Sequence, residues 1–296
     1  MASIRRPSPQ PRPLRVNPVL LLLIIAALLV AYHHQVHNFG IFPESWNLGL
    51  RQPLDEFKKW VIIANRDDHW MFSIFFQPLK TSIDFFIRRA EDLLLWLPWP
   101  VIIGFVFLVA NKIGGLRLAL VTSLSLFAMG LLGLWDESMK TMALMVTAVI
   151  ISLLIGIPLG IWTARNDRAE QFLRPILDAM QTMPAFVYLI PVVLFFGIAR
   201  VPSVIATIIY AIPPVARLTN LGIRRVSSEA IEAARAFGST SRQILTKVQI
   251  PQALPSIMAG VNQTIMMALS IVVIAALIGG GGLGDVVLKS LRRLQV

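Results

Sequence analysis

Residues 228–251 read SEAIEAARAFGSTSRQILTKVQIP, a polar stretch between two long apolar segments. It predicts a short helix with Ser228 as its N-cap, because a serine hydroxyl can accept from the first free backbone N–H groups. Glu229 and Glu232 then lie early in the helix, where the helix dipole favours acidic side chains. Gly238 should end the helix in a left-handed conformation.

The predicted helix has a small apolar face, spaced i, i+3, i+4 and i+7, that comprises Ala230, Ala233, Ala234 and Phe237. A second short helix is expected from about Ser241 to Gln249, ending at Pro251. A flat, exposed helix of this kind is suited to docking in a groove of another protein. A purely structural connection between two membrane spans would not need a polar loop of this length.

The composition is that of a membrane protein. Of the 296 residues, 56% are hydrophobic and 15% are charged, and the mean hydropathy is +0.70; soluble domains carry about 25% charged residues. A cytosolic enzyme and a disordered chain are thereby excluded. The absence of cysteine excludes a disulfide scaffold, a thiolate nucleophile and a cysteine metal site.

Charge-free apolar windows predict an all-α polytopic membrane protein with about seven transmembrane helices. The windows are 16–32, 93–111, 118–135, 141–164, 179–199, 201–216 and part of 248–284. The first follows a basic tail, as a signal peptide would. Since no cleavage site of small residues follows Tyr32, we favour an uncleaved anchor over a signal peptide.

Basic residues predict the orientation of the chain. If the N-terminal tail is cytoplasmic, the inside loops hold 15 Lys and Arg and the two short outside loops hold two. This places the loop 217–255 in the cytoplasm and the C-terminus outside. The net charge of +11 is explained by these loops without nucleic-acid binding.

The segment 33–92 differs from the spans. It carries seven basic and eight acidic residues with many aromatics, and its apolar residues recur at helical spacing. Such a helix is expected to lie along the membrane interface. The four histidines of the segment match no metal-ligand spacing, so we expect no metal site.

The motifs of catalysis and ATP binding are missing from the sequence. No Asp, Glu, Lys, Arg or His lies inside a predicted span, and no G-x-x-x-x-G-K-[ST] sequence is present. Gly279, Gly281 and Gly284 spell G-x-G-x-x-G, but they close an apolar helix instead of following a strand. We therefore interpret these glycines as a helix break with close backbone packing. We expect no catalytic residues and no bound cofactor on this chain.

Prolines within or at the ends of the spans predict broken helices, and they are Pro158, Pro184, Pro191, Pro202, Pro213 and Pro214. Broken helices at membrane depth are tolerated where protein or a water-filled cavity surrounds them. The prolines are compatible both with bundle packing and with a passage for a small solute. A stand-alone channel or carrier also fits the broken spans, but it leaves the alanine-faced loop without a role.

The loop resembles the EAA loop of ABC-importer permeases, whose usual pattern is E-A-A-x3-G-x9-I-x-L-P. Here Val248 stands at the isoleucine position and Ile250 at the leucine position. The resemblance implies that the loop docks on an ATPase subunit, and that the coupling residues are Glu232, Ala233, Ala234, Phe237, Gly238, Ser239, Ile250 and Pro251.

Three further stretches are similar to signatures of the glycine betaine/proline betaine permeases: 177–188, 258–264 and 281–284. This resemblance implies a type I ABC-importer permease core at 139–296, peripheral helices at 93–138, and an N-terminal region at 1–92. It also implies a homodimer in the lipid of a bacterial inner membrane, two ATPase subunits that bind ATP and Mg, and an external substrate-binding protein. Choline and carnitine are the alternative solutes. The family usually has one more span after the glycine cluster, so we expect the chain to be truncated or to lack that helix.

A passage for the solute is predicted where two spans begin at a similar depth from the cytoplasm. The candidate residues are Met183, Pro184, Phe186, Tyr188, Asn262 and Gln263. Phe195 and Phe196 are further aromatic candidates, since an aromatic face can hold a methylated ammonium through cation–π contact. The alternative is that each aromatic is a packing residue.

Overall fold

A computed structural model describes residues 18–35, 49, 51–59, 70–275 and 278–293. Throughout these residues the regular structure is helical, which confirms the all-α prediction. The basic N-terminal tail and the side chains of His34, His37 and His69 lie outside the part of the chain that the structure describes. The chain divides into two compact units, residues 1–63 and 64–296. The first contains α1 (Pro18–Gln35), whose described side chains are exposed, and α2 (Arg51–Lys58).

The second unit contains the remaining helices. They are α3 (Gln77–Trp96), α4 (Trp99–Leu131), α5 (Trp135–Arg165), α6 (Asp167–Thr182), α7 (Ala185–Phe196), α8 (Arg200–Arg224), α9 (Ser228–Ala236), α10 (Ser241–Ile244), α11 (Ile250–Ala275) and α12 (Leu283–Arg293). Two π-helical turns, Phe72–Phe76 and Leu245–Gln249, precede α3 and α11.

The helices long and apolar enough to cross a membrane are fewer than the seven predicted windows. In the described part of the chain they are α4, α5, α8 and the continuous helix Ser241–Ile274. A fifth is added if α6 and α7, bent by 96°, form one broken span. The windows 93–111 and 118–135 correspond to the two halves of α4, whose backbone is non-helical at Gly115 (φ +78°, ψ −178°). The halves fold back on each other, since the rings of Trp99 and Phe127 lie 6.0 Å apart, so the separation of the two windows is confirmed. The apolar part of α1, Leu21–His33, is shorter than these spans.

α8 forms the centre of the bundle, between α5 and α11. Small residues permit its close contacts: Gly156 and Gly160 of α5 lie against α8, and Gly260 of α11 lies against Pro214 and Val215. Small residues at helix interfaces are the usual means of close packing in membranes. The buried Thr264 hydroxyl of α11 donates to the Ala211 carbonyl of α8 at 2.9 Å.

α3 packs on this bundle through one apolar face. Ile83 and Ile87 are almost completely buried in a cluster with Leu144 of α5 and Val204 and Ile208 of α8. At its other end, Glu91 forms an ion pair with Arg200 at the start of α8. The interfacial position of α3 remains a prediction: Ile83 and Ile87 are covered by protein, whereas Phe86 is 57% exposed.

The glycine cluster is a turn between α11 and α12. Gly279, Gly281 and Gly282 have positive φ angles. A Cβ atom at Gly282 would lie 2.3 Å from Thr141 Oγ1, and the Leu283 N–H donates to that same oxygen at 2.8 Å. The structural interpretation of the motif, close backbone approach, is therefore confirmed.

Candidate coupling loop and solute passage

The N-terminus of α9 is capped by Ser227 and not by Ser228, so the predicted cap was wrong by one residue. The Ser227 backbone is extended (φ −60°, ψ 142°), and its hydroxyl accepts from the Ala230 N–H at 3.3 Å. Ser228 is the first helical residue. With two adjacent serines, only the one outside the helix can direct its side chain to the third helical N–H.

The C-terminus of α9 ends as predicted at Gly238. This glycine has φ +77°, its N–H donates to the Arg235 carbonyl at 2.9 Å, and the Ser239 N–H donates to the Ala234 carbonyl at 3.0 Å. This pair of bonds is a Schellman motif, which satisfies carbonyls that the helix itself leaves free. The motif fixes the direction in which the chain leaves α9.

The predicted apolar face of α9 is divided by its packing. Ala230 and Ala234 are half-buried, whereas Ala233 and Phe237 are exposed, Phe237 to 90%. Glu232 is exposed beside them. An almost fully exposed phenylalanine at the end of a capped helix is a ready contact for another protein.

The prediction that a second helix ends at Pro251 was wrong. α10 begins with a capping box between Thr240 and Gln243 and continues through the π-helical turn Leu245–Gln249 directly into α11. The Ile250 N–H donates to the Leu245 carbonyl, five residues back. The residue added by such a turn lets a proline follow without its ring meeting the preceding carbonyl. The turn Phe72–Phe76 stands before Pro78 in the same way.

Charged side chains fix the end of α8 that leads into α9. The Arg224 guanidinium donates to the Thr163 carbonyl at 2.9 Å and pairs with Asp167 at 2.7 Å and Glu170 at 2.8 Å. Asn220 donates to the Thr163 hydroxyl at 2.9 Å. α8 thus extends eight residues past the predicted window 201–216, and the loop begins after Arg224. The sequence predicted Arg224 only as one of the basic residues of the cytoplasmic loop. Its ion-pair partners, Asp167 and Glu170, are more than 50 residues away in the chain, so no local pattern indicates them.

Of the predicted passage residues, Tyr188 is buried, and its hydroxyl is engaged with the backbone. It is 7% exposed, and its hydroxyl donates to the Met183 carbonyl at 3.1 Å and the Met180 carbonyl at 3.3 Å. These carbonyls lie at the bend between α6 and α7, where Pro184 is the N-cap of α7. Tyr188 therefore stabilises the bend.

The remaining passage candidates are accessible. Met183, Pro184 and Phe186 are exposed at the start of α7, and Asn262 and Gln263 are exposed on α11. Both α7 and α11 pack against α8. Their role in a passage remains a prediction.

The aromatic candidates at the other end of α7 belong to a phenylalanine cluster. Phe195 stacks on Phe76, with ring centroids 4.8 Å apart and 9° between the planes. Phe196 meets Phe76 edge-on at 5.3 Å. Such arrangements are favourable for aromatic pairs.

Comparison with known proteins places the chain among transport proteins. A family model described as "Binding-protein-dependent transport system inner membrane component" matches residues 156–296. The glycine betaine/proline betaine transport system permease protein ProW of Escherichia coli K12 is 51% identical over 221 residues, which are 75% of this chain and 62% of that protein. The chain thus spans less than two thirds of that relative.

Two further relatives come from other bacteria. The glycine betaine transport system permease protein OpuAB of Bacillus subtilis 168 is 41% identical over 83% of this chain and 85% of that protein. The glycine betaine/carnitine transport permease protein GbuB of Listeria monocytogenes is 57% identical over 52% of this chain and 54% of that protein. The chain therefore belongs to the family of binding-protein-dependent transport system inner membrane components, the permeases of ABC transporters.

Proposed function

We propose that this chain is the permease subunit of an ATP-driven ABC importer for compatible solutes of the glycine betaine/proline betaine type. The names of its relatives support this solute class. Carnitine, which the name of the Listeria relative includes, and choline are alternative solutes for the same machinery. The chain would form the translocation path and would not itself be an enzyme.

The observation that carries the proposal is the exposed end of α9. Phe237 extends from a helix whose two ends are both capped, so its position is fixed while its ring contacts solvent. An aromatic side chain that enters a groove of a partner can dominate the affinity of an interface. α9 also packs on the π-helical turn that leads into α11, so a force applied to α9 reaches a membrane span directly.

The proposed complex contains two copies of this chain, two ATPase subunits that bind ATP and Mg, and an external binding protein. The spans α4 and α5 expose extensive apolar surface, which supports contact with lipid or with a second copy of the chain. Only 11% of the apolar window of α4 is buried inside the chain and 39% of that of α5, compared with 72% for α8. Lipid or a second copy of the chain would cover the remainder.

The proposed location is the inner membrane, with the N-terminus and loop 217–255 in the cytoplasm. The distribution of Lys and Arg supports this orientation. α9 would then face the compartment that holds ATP, and the turn between α7 and α8 would face the external binding protein.

The proposed passage runs beside the exposed residues Met183, Phe186, Asn262 and Gln263. These side chains are apolar or neutral amides, which suits a solute without net charge. Pro184 would shape the passage by allowing the bend before α7. Tyr188 would contribute by holding that bend, since its hydroxyl is engaged with the backbone.

Replacement of Phe237 by alanine tests the docking role. The side chain is almost fully exposed, so the melting temperature should not change. Loss of an aromatic anchor costs about 2 kcal/mol of interface energy, or roughly thirtyfold in affinity. ATP hydrolysis stimulated by solute-loaded binding protein should therefore collapse in the purified complex.

Phe105→Ala is the matched control, because Phe105 is an exposed phenylalanine of α4 away from the loop. Its ATP hydrolysis should equal that of the unsubstituted protein. Full stimulation in Phe237→Ala would refute the assignment of α9 as the ATPase dock.

A further inference from the structure

A cleft of about 300 Å³ lies between the start of α3 and the end of α7. One wall is aromatic and includes Phe76, Phe195 and Phe196. The rest of the lining, the polar wall, includes Gln77, Lys80 and Asp84, which follow one another at i, i+3 and i+7 along a single face of α3. We call this space the aromatic cleft.

The aromatic wall is held in place by ring contacts. Phe195 and Phe76 stack in parallel, and Phe196 meets Phe76 edge-on. Phe72, which is 3% exposed, backs both Phe76 and Phe195 at centroid distances of 5.2 and 6.2 Å. The wall is therefore built before any ligand arrives, and little ordering would be needed on binding.

The polar wall carries one charge of each sign. Lys80 is exposed and has no ion pair within the described part of the chain. Asp84, whose side chain is 28% exposed, pairs with Arg88 through one carboxylate oxygen at 2.6 Å. Lys80 and Asp84 are about one helical turn apart, or roughly 5–6 Å between their Cβ atoms.

We infer that the aromatic cleft binds the solute itself, as an outward-facing site on the permease for a small betaine. The methylated ammonium would lie on the face of Phe195 that is turned away from Phe76, near Asp84, because a ring face attracts a cation whose own surface is apolar. The carboxylate would lie on Lys80. A zwitterion matches both charges at once, whereas a simple amine or acid matches only one.

The position of the cleft agrees with this role. It lies at the C-terminal end of α7, and α3 continues from it to the ion pair of Glu91 with Arg200 at the start of α8. In the orientation proposed above, the α7–α8 turn faces outward, where a binding protein would release its solute. The inference rests on the proposed function for the identity of the solute.

Equilibrium binding to the permease–ATPase complex in nanodiscs, without the binding protein, tests the inference. Radiolabelled glycine betaine and radiolabelled choline serve as probes, since choline has the methylated ammonium but no carboxylate. Phe195→Leu should weaken both probes about fivefold, which corresponds to one cation–π contact. Lys80→Gln should weaken glycine betaine about threefold and leave choline unchanged.

Phe86→Leu is the control, because Phe86 is an exposed phenylalanine of α3 that does not line the cleft. It should bind both probes normally. Absence of saturable glycine betaine binding to the unsubstituted complex, or equal losses for both probes in Lys80→Gln, would overturn the inference.

Uptake by the same complex, reconstituted with binding protein and ATP, separates this inference from the proposed function. If uptake proceeds while the cleft variants bind glycine betaine like the unsubstituted complex, the aromatic cleft is not a binding site for the solute, but the proposed importer function is retained. If the unsubstituted complex takes up no betaine, the proposed function fails.

Discussion

Gly160 lies where α5 closely approaches the backbone of α8. A Cβ atom there would lie 2.5 Å from the Ala216 carbonyl oxygen and 2.6 Å from Thr219 Cβ. Real Cβ atoms do not approach so closely, so any side chain at this position must separate the two helices. In a bundle centred on α8, such a separation affects the whole core.

Gly160→Ala should therefore lower the melting temperature of the purified protein. Overpacking of this kind costs about 1–3 kcal/mol. The control is Gly104→Ala in α4, where a Cβ atom meets nothing within 4 Å. Because alanine is the better helix former, the control should gain about 0.5–1 kcal/mol. A Gly160→Ala protein as stable as the control would refute the close contact.

Individual residues of the loop were predictable to different degrees. Gly238 was correctly predicted because a left-handed helix end has a strong residue preference. The choice between Ser227 and Ser228 was not, because both serines suit the cap and only the backbone decides. The burial of Tyr188 was also hidden, since its partners are backbone carbonyls of the preceding bend.

At the level of elements, apolar runs and helix ends predicted helices but not their continuity. Pro251 appeared to end a helix, yet a π-helical turn carries the chain past it. Gly115, in contrast, breaks α4 between the windows 93–111 and 118–135, as predicted. These outcomes depend on local backbone geometry that a proline or glycine permits but does not specify.

The two ends of the spans should face opposite compartments, and single cysteines can report this in the cysteine-free chain. Asp136 at the start of α5 and Ser228 at the start of α9 are both exposed. Asp136→Cys should react with an impermeant thiol reagent in intact cells, and Ser228→Cys should react only after lysis. The neighbouring Ser138 is unsuitable as a reporter because it is buried. The reverse labelling pattern would overturn the orientation.

At the scale of the whole molecule, the class and family followed from composition and motifs, but the packing order did not. Nothing in the sequence placed α8 at the centre. α3 docks on the bundle through the buried Ile87. Its ion pair joins Glu91 to Arg200, which lies 109 positions further along the chain. Contacts of this range depend on the assembled bundle.

The same bundle explains why ATP is expected to drive transport. The last residue of α8, Arg224, forms ion pairs with Asp167 and Glu170, and α9 follows. From there the chain returns to the membrane through a continuous helix that includes α11. The two spans that pack most extensively on each other are thus the two that flank the proposed ATPase dock. Movement of α9 would reach both together.

The most direct test of the account is uptake of radiolabelled glycine betaine by proteoliposomes that contain the complex with enclosed ATP and external binding protein. We predict accumulation above the external concentration that requires ATP inside and is abolished when ATP is replaced by a non-hydrolysable analogue. Uptake that proceeds without ATP and stops at equal concentrations would contradict the account, because it would identify the chain as a stand-alone channel or carrier.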